Sequence, residues 1–243
     1  MKVDLQMEFI MRAFMLMILG ALFSVVMASN VIGSVESLKG SVKVKSENSI
    51  KKSRVKAGFE VKAGDLIITS KNTFAKIKLK DNSIVVLDES SSILFASSYD
   101  AQQNSGKIYY KITSRDAKNS LKVKTPFAII GIKGTTFIIN ASKDDSFVSL
   151  KEGVIGITSI KEKFELYRKE IEKEFEDFMA QQQAAYEEYQ QVQKPGFVEK
   201  TKEFDLHQKK TVLFEGNKAI EKDWAKTQIE EFKHFQDLMD SMK

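Results

Sequence analysis

Few residues in this 243-residue chain could carry covalent chemistry, and their spacing argues against it. Cysteine is absent, which removes disulfides, thiolate metal sites, a cysteine nucleophile and a lipid-anchored N-terminal cysteine. The two histidines, His207 and His234, lack both the i, i+4 helical spacing and the carboxylate cluster that a zinc site would use. Each reads as an exposed surface residue. Asp144-Asp145 falls between two strand-like runs and reads as a turn rather than an acid–base pair. Glu170, Glu172, Glu174, Glu176 and Asp177 read as the wet face of a helix. A calcium loop would alternate oxygen ligands around a central glycine, which is missing there. Gly131-Ile-Lys-Gly-Thr135 echoes the end of a phosphate-cradling loop, but the four-residue spacing to a first glycine and the following helix are both absent. This inventory implies no enzyme, no cofactor and no metal.

Lysines are the remaining candidates. Lys76, Lys78 and Lys80, then Lys122 and Lys124, and also Lys43 and Lys45, alternate with apolar residues. If those strands are neighbours, their lysines make one positive sheet face that could bind lipid phosphate or an anionic glycan. Lysine without interleaved arginine or aromatics does not read bases, so no specific nucleic acid is implied. The bland reading is a solvated face that guards strands against edge pairing. Residues 29–157 hold 21 Lys and Arg against 12 Asp and Glu, whereas residues 158–243 hold 15 against 19. The change of sign points to two modules.

The elements that must position these residues are short strands from Val31 to Ile157. Ala75, Ile77 and Leu79 alternate with the three lysines, and Asp81-Asn82-Ser83 supplies a turn before SIVVLD. Further strand-like runs follow at KIYYKI, SLKVKT, AIIGI, TTFIIN, SFVSLKEG and VIGITSI. Turn signals recur throughout, as in a sandwich, barrel or solenoid. From Ile160 the period changes. Ile160, Phe164, Tyr167, Ile171, Phe175 and Phe178 fall at gaps of three and four, which predicts a long amphipathic helix to about residue 192. Lys194-Pro195-Gly196 stops it. Ile220, Trp224, Ile229, Phe232, Phe235 and Met239 predict a second helix over 218–242.

At the N-terminus, Arg12 precedes an apolar run from Ala13 to Met27, and Val26 and Ala28 put small or modest residues at the −3 and −1 positions ahead of polar Ser29-Asn30. The pattern predicts an export signal over residues 1–28 cleaved after Ala28. The run is about 15 residues, short of the roughly 20 that span a bilayer. An uncleaved inner-membrane anchor is the competing reading.

Five pieces of the β region stand in order: Gly40-Ser41-Val42; Ala63-Gly64-Asp65-Leu66-Ile67-Ile68-Thr69; Ala75 to Ser83 with Asp81; Val123-Lys124-Thr125-Pro126 leading to Gly134-Thr135-Thr136-Phe137; and Glu152-Gly153-Val154. Together they resemble the FecR domain, a periplasmic all-β module, from about Val31 to Thr158. Asn82 departs from the glycine usual in that family, though asparagine also tolerates positive φ. Pro126 fits a strand entrance, Gly131 and Gly134 a tight bend, and Thr135 a hydroxyl bonded to the turn backbone. The resemblance implies a β-helix-like or roll-like domain over 29–158, and the helical period then implies a helical region over 159–243. The expected fold is therefore α+β in segregated halves. The regulator that names the family also has a cytosolic anti-sigma segment. Too few residues precede Ala13 here for such a domain. The expectation is an exported, periplasmic, non-enzymatic envelope protein with a protein partner, or self-association, through its helical region. An envelope signalling component and a binder of anionic glycan or lipid are the alternatives.

Overall fold

The computed structural model describes residues 30–47, 49–113, 120–168 and 198–242. The signal segment with Ala28, and the first helical stripe from Ile171 to about residue 192, lie outside the described residues. Among the described residues, those from Val31 onward form strands and one helix.

Two sheets carry the fold. The first, sheet A, runs in spatial order β4 (Glu60–Lys62), β1 (Val31–Lys39), β6 (Phe74–Leu79), β7 (Ile84–Leu87), the second half of β9 (Asp100–Lys111), β12 (Thr136–Ala141), β13 (Ser146–Glu152), β18 (Lys210–Glu215), β19 (Lys218–Asp223), β15 (Phe164–Tyr167) and β16 (Glu199–Thr201). Sheet B runs β3 (Ser53–Arg54), β2 (Val42–Lys45), β5 (Asp65–Thr69), β8 (Ser92–Phe95), the first half of β9, β10 (Leu121–Lys124), β11 (Ala128–Ile132), β14 (Val154–Ser159) and β17 (Glu203–His207). Neighbours are antiparallel except β9–β10 and β15–β19, unlike the parallel ladders of a β-helix.

Period-two alternation explains the core. Val42 and Val44, Ile67, Ala75 and Ile77, Val123, Ile130, Phe137, Leu150 and Ile157 all point inward and make one cluster between the sheets. The continuous apolar runs IVVL and TFIIN have a different cause. The helix α1 (Lys226–Ser241) covers the other face of sheet A, so those strands are buried on both sides. Phe232, Phe235, Leu238 and Met239 of α1 pack there on Val86, Tyr109, Ile138 and Phe147. Tyr109 stacks on Phe235 with ring centroids 5.5 Å apart, and Trp224 stacks on Phe232 at 4.9 Å.

Strand β9 joins the sheets by belonging to both. Its first half pairs with β8 and β10, its second half with β7 and β12. The crossing is at Gly106, whose φ is 79°. A Cβ there would sit 2.3 Å from Ser91 Oγ and 2.5 Å from Ser91 Cα, so only glycine fits. The bend strands backbone carbonyls in the interior. Fully buried Gln103 meets them: its Nε2 donates to Gly106 O at 2.8 Å and to Ile139 O at 3.1 Å, while its Oε1 accepts from Tyr110 Oη at 2.9 Å.

Within the expected helical region over 159–243, the described residues correct the expectation where they can: Phe164 and Tyr167 lie in a strand, residues 199–223 form four more, and α1 begins at Lys226. A gap of four between Ile220 and Trp224 mimics a helical stripe. The alternation of Phe204 with Leu206, and of Val212 with Phe214, is the true signal, with a turn at Gly216-Asn217 between the last two strands. These strands continue both sheets: β17 pairs with β14 and β18 with β13. Sheet pairing therefore runs across the expected join at 158/159.

Candidate functional site

The Thr125-Pro126 stretch is the turn between β10 and β11. Thr125 closes it three ways: its N–H and its hydroxyl both donate to Ala128 O at 2.9 Å, and its Oγ1 accepts from Ala128 N at 2.9 Å. Pro126 and Phe127 are left at the tip, where no ladder donor is needed. The chain then crosses from sheet B to sheet A at Gly134-Thr135 and returns at Gly153. These two corners press together. A Cβ on Gly153 (φ 92°) would meet Thr135 Cγ2 at 2.7 Å and Gly134 O at 3.0 Å. Thr135 is buried and its Oγ1 has no hydrogen-bond partner, so the expectation that it bonds the turn backbone fails. Its methyl group, packed against the opposite corner, fills the site instead.

The other motif residues are structural in the same sense. Asp65, buried beside Gly64, accepts from Lys62 N at 2.9 Å. Thr69 donates to Asp88 O at 2.7 Å and accepts from Ser91 N at 2.9 Å. Asp81 accepts from the Ser83 N–H and hydroxyl, holding the hairpin in which Asn82 sits at φ 65°. Phe137 stacks face to face on Tyr110 at 4.8 Å. Glu152 lies opposite Thr136, and its charge adds to burial in raising the Tyr109 pKa to about 12.

Beside the Pro126 turn the end of the sandwich is open. A cleft of about 530 Å³ is lined by Pro126, Phe127, Phe164 and Phe214, with Lys143, Lys161, Glu162 and Asn217 around them. Phe127 stacks on Phe214 at 4.5 Å, Phe214 leans on Phe164, and Phe164 meets Phe204 edge to face. Arg168 caps this ladder 5.3 Å over Phe204. Its Nε donates to Glu221 at 3.0 Å and its Nη2 to Asp205 O at 2.6 Å. Aromatic side chains and polar or charged ones share the lining, and in a volume of this size that mixture suits a ligand or a partner side chain. Sequence reasoning misses this cleft because one wall, residues 159–164 and 214–217, falls in segments whose spacing imitates helix.

Residues 65–156 match the model of the FecR protein family. They form a FecR domain. It begins at β5 and ends within β14, so β1 to β4 lie outside the match although β1 and β2 pair with it. The fold also overlaps two crystal structures of a candidate anti-sigma factor from Parabacteroides distasonis. One shares 12% identity over 69% of this chain and 63% of that one, with a TM-score of 0.46; the other shares 13% over 68% and 62%, at 0.43. The chain thus spans less than two thirds of those proteins. No curated protein matches the sequence. Within this frame the FecR domain supplies one wall of the cleft, Pro126 to Ser146, and the chain after it supplies the other.

The lysines do not gather. Lys76, Lys78 and Lys80 belong to β6 and its end in sheet A, whereas Lys122 and Lys124 lie on β10 in sheet B, with Lys43 and Lys45 on β2. Alternation sends every one outward, but the sheets face each other, so the two sets point to opposite sides of the FecR domain. Within sheet B, β5, β8 and β9 separate β2 from β10. Lys76 is further occupied by Glu36, 2.9 Å away. The single lysine face is therefore corrected to separate patches. The histidines are also apart. His207 is exposed on β17; His234 on α1 stands 3.3 Å from Asp88. Among the described residues no three His, Asp or Glu side chains converge as a metal site, and no helix is long and apolar enough to cross a membrane.

Proposed function

We propose that this chain is an exported, non-enzymatic cell-envelope protein whose FecR domain is a rigid platform and whose end cleft receives a protein partner. The observation that carries this reading is the cleft itself, built half by the FecR domain and half by the strands appended to it. A partner would insert an apolar or aromatic side chain against Phe127 and set carboxylates near Lys143 and Lys161. The export signal read in residues 1–28 supports a periplasmic location. The order of motifs supports a binding role.

The test is affinity capture from cells of the full chain and of a Phe127→Ala, Lys161→Glu variant, with circular dichroism confirming that both are folded. Loss of a defined partner with the variant supports the cleft; equal recovery refutes it. Truncation at Thr158 is unsuitable, because it strips β13 and β14 of β18 and β17 and so tests folding.

A second reading, an envelope signalling component, is favoured by the FecR domain alone. It needs a route to the cytosol, so recovery of intact Met1 to Ala28 in membranes would raise it, and a mature protein beginning at Ser29 would remove it.

A further inference from the structure

The hairpin of β2 and β3 at the edge of sheet B stands apart from the end cleft and uses none of its residues. Residues 41–56 contain Lys43, Lys45, Lys51, Lys52, Arg54 and Lys56 against the single acid Glu47, a net charge of +5. That equals the net charge of the whole 243-residue chain. All six cations are exposed, and none pairs with a carboxylate among the described residues. Lys43 lies directly opposite Arg54 in the ladder, an arrangement that costs stability because like charges face each other. Arg54 is held there by its guanidinium, which donates to Ser41 Oγ at 3.3 Å from both Nε and Nη2.

Edge protection alone would account for charge on these strands. It does not account for Ile50. This side chain is 97% exposed, at the loop between the two strands and immediately before Lys51-Lys52. Where β2 runs into that loop, a second hollow of about 390 Å³ is lined by Lys45 and Glu47 together with Leu66, Leu94, Ala63 and Ala96. An exposed branched aliphatic side chain followed directly by two lysines, on a hairpin that carries four more exposed cations, is the chemistry of an element that sits in the headgroup region of an anionic bilayer.

We propose that the β2–β3 hairpin docks the protein on anionic phospholipid, with Ile50 entering the interface and Lys43, Lys45, Lys51, Lys52, Arg54 and Lys56 pairing with headgroup phosphates. The occupant is a bilayer surface rather than a protein, because the six exposed cations are spread over both strands, the loop between them and Lys56 beyond, and among the described residues line no pocket except for Lys45.

The chain has no cysteine, so a single label reports one position. An environment-sensitive fluorophore on Ile50→Cys of the full chain is titrated with phosphatidylcholine vesicles, with and without phosphatidylglycerol. The same label on Ile229→Cys, an exposed position of α1, is the control. The docking predicts a blue shift at position 50 on anionic vesicles, none beyond the neutral baseline at position 229, and reversal by salt. Lys51→Glu with Lys52→Glu weakens the partition about 25-fold or more, each cation near the surface contributing about fivefold. No anionic shift at position 50, or an equal shift at position 229, overturns the proposal. An equal response to soluble dextran sulfate also overturns it, in favour of a polyanion site.

Discussion

Replacing Gly106 by alanine tests the crossing on which the architecture depends. Two costs add there. Alanine at φ 79° is in the left-handed region, which costs about 1–2 kcal/mol. Its methyl would also lie 2.5 Å from Ser91 Cα, a backbone atom that cannot rotate away. Forcing a methyl into a filled site costs roughly a further 1–3 kcal/mol. The expected loss is about 2–5 kcal/mol, a large share of the 5–15 kcal/mol typical of a domain. Gly58→Ala separates the terms, because Gly58 has φ 83° and a Cβ added there would meet nothing within 4 Å. It should lose only the first term. The assay is urea unfolding, followed by circular dichroism for the sheets and by the emission of Trp224, the single tryptophan, for α1. Equal losses from the two alanines, within about 0.5 kcal/mol, would refute the crowding at the crossing.

Other perturbations report on other layers. Gln103→Leu leaves Tyr110 Oη and two carbonyls without their partner and should cost about 2–4 kcal/mol; adding Tyr110→Phe should cost less than the sum, and strict additivity would argue against the network. Phe235→Ala, at a fully buried stacked ring, should cost about 3–5 kcal/mol and red-shift Trp224 emission while the strand signal persists. A blue-edge spectrum like the parent's would show α1 still docked. Tyr109 keeps its proton to about pH 12 when folded and loses it near 10 when unfolded, so its contribution is full below about pH 10 and is lost as pH rises to about 12. Tyr109 contributes a slope of about 1.4 kcal/mol per pH unit, beside that of buried Tyr110, whose pKa is also raised by desolvation. Tyr109→Phe should lower the alkaline slope by that amount, and an unchanged slope would refute the burial of the Tyr109 hydroxyl.

Much of the first half of the chain is legible in the sequence. The β6–β7 hairpin follows from the alternation of Ala75, Ile77 and Leu79 with lysine and from the turn at Asp81-Asn82-Ser83. The Thr125-Pro126 turn follows from the cost of proline inside a ladder. What alternation cannot specify is which of two facing sheets a strand joins. It puts Lys76 and Lys122 outward but leaves them on opposite sides. Gln103 is hidden because QQNSG reads as a polar loop. Its burial makes sense only once the bend at Gly106 frees carbonyls inside the core. The last strands escape because Ile220 and Trp224 lie one helical turn apart by coincidence. That coincidence conceals the cleft, whose second wall those strands build.

The most direct test of the account places a photo-crosslinking aromatic residue at Phe127 in living cells, with the same residue at Lys80 as the control. Position 127 lines the cleft and Lys80 does not. The account predicts a defined protein adduct from position 127 and none from position 80. No adduct at 127, or the same adducts from both positions, would contradict a partner seated in the cleft.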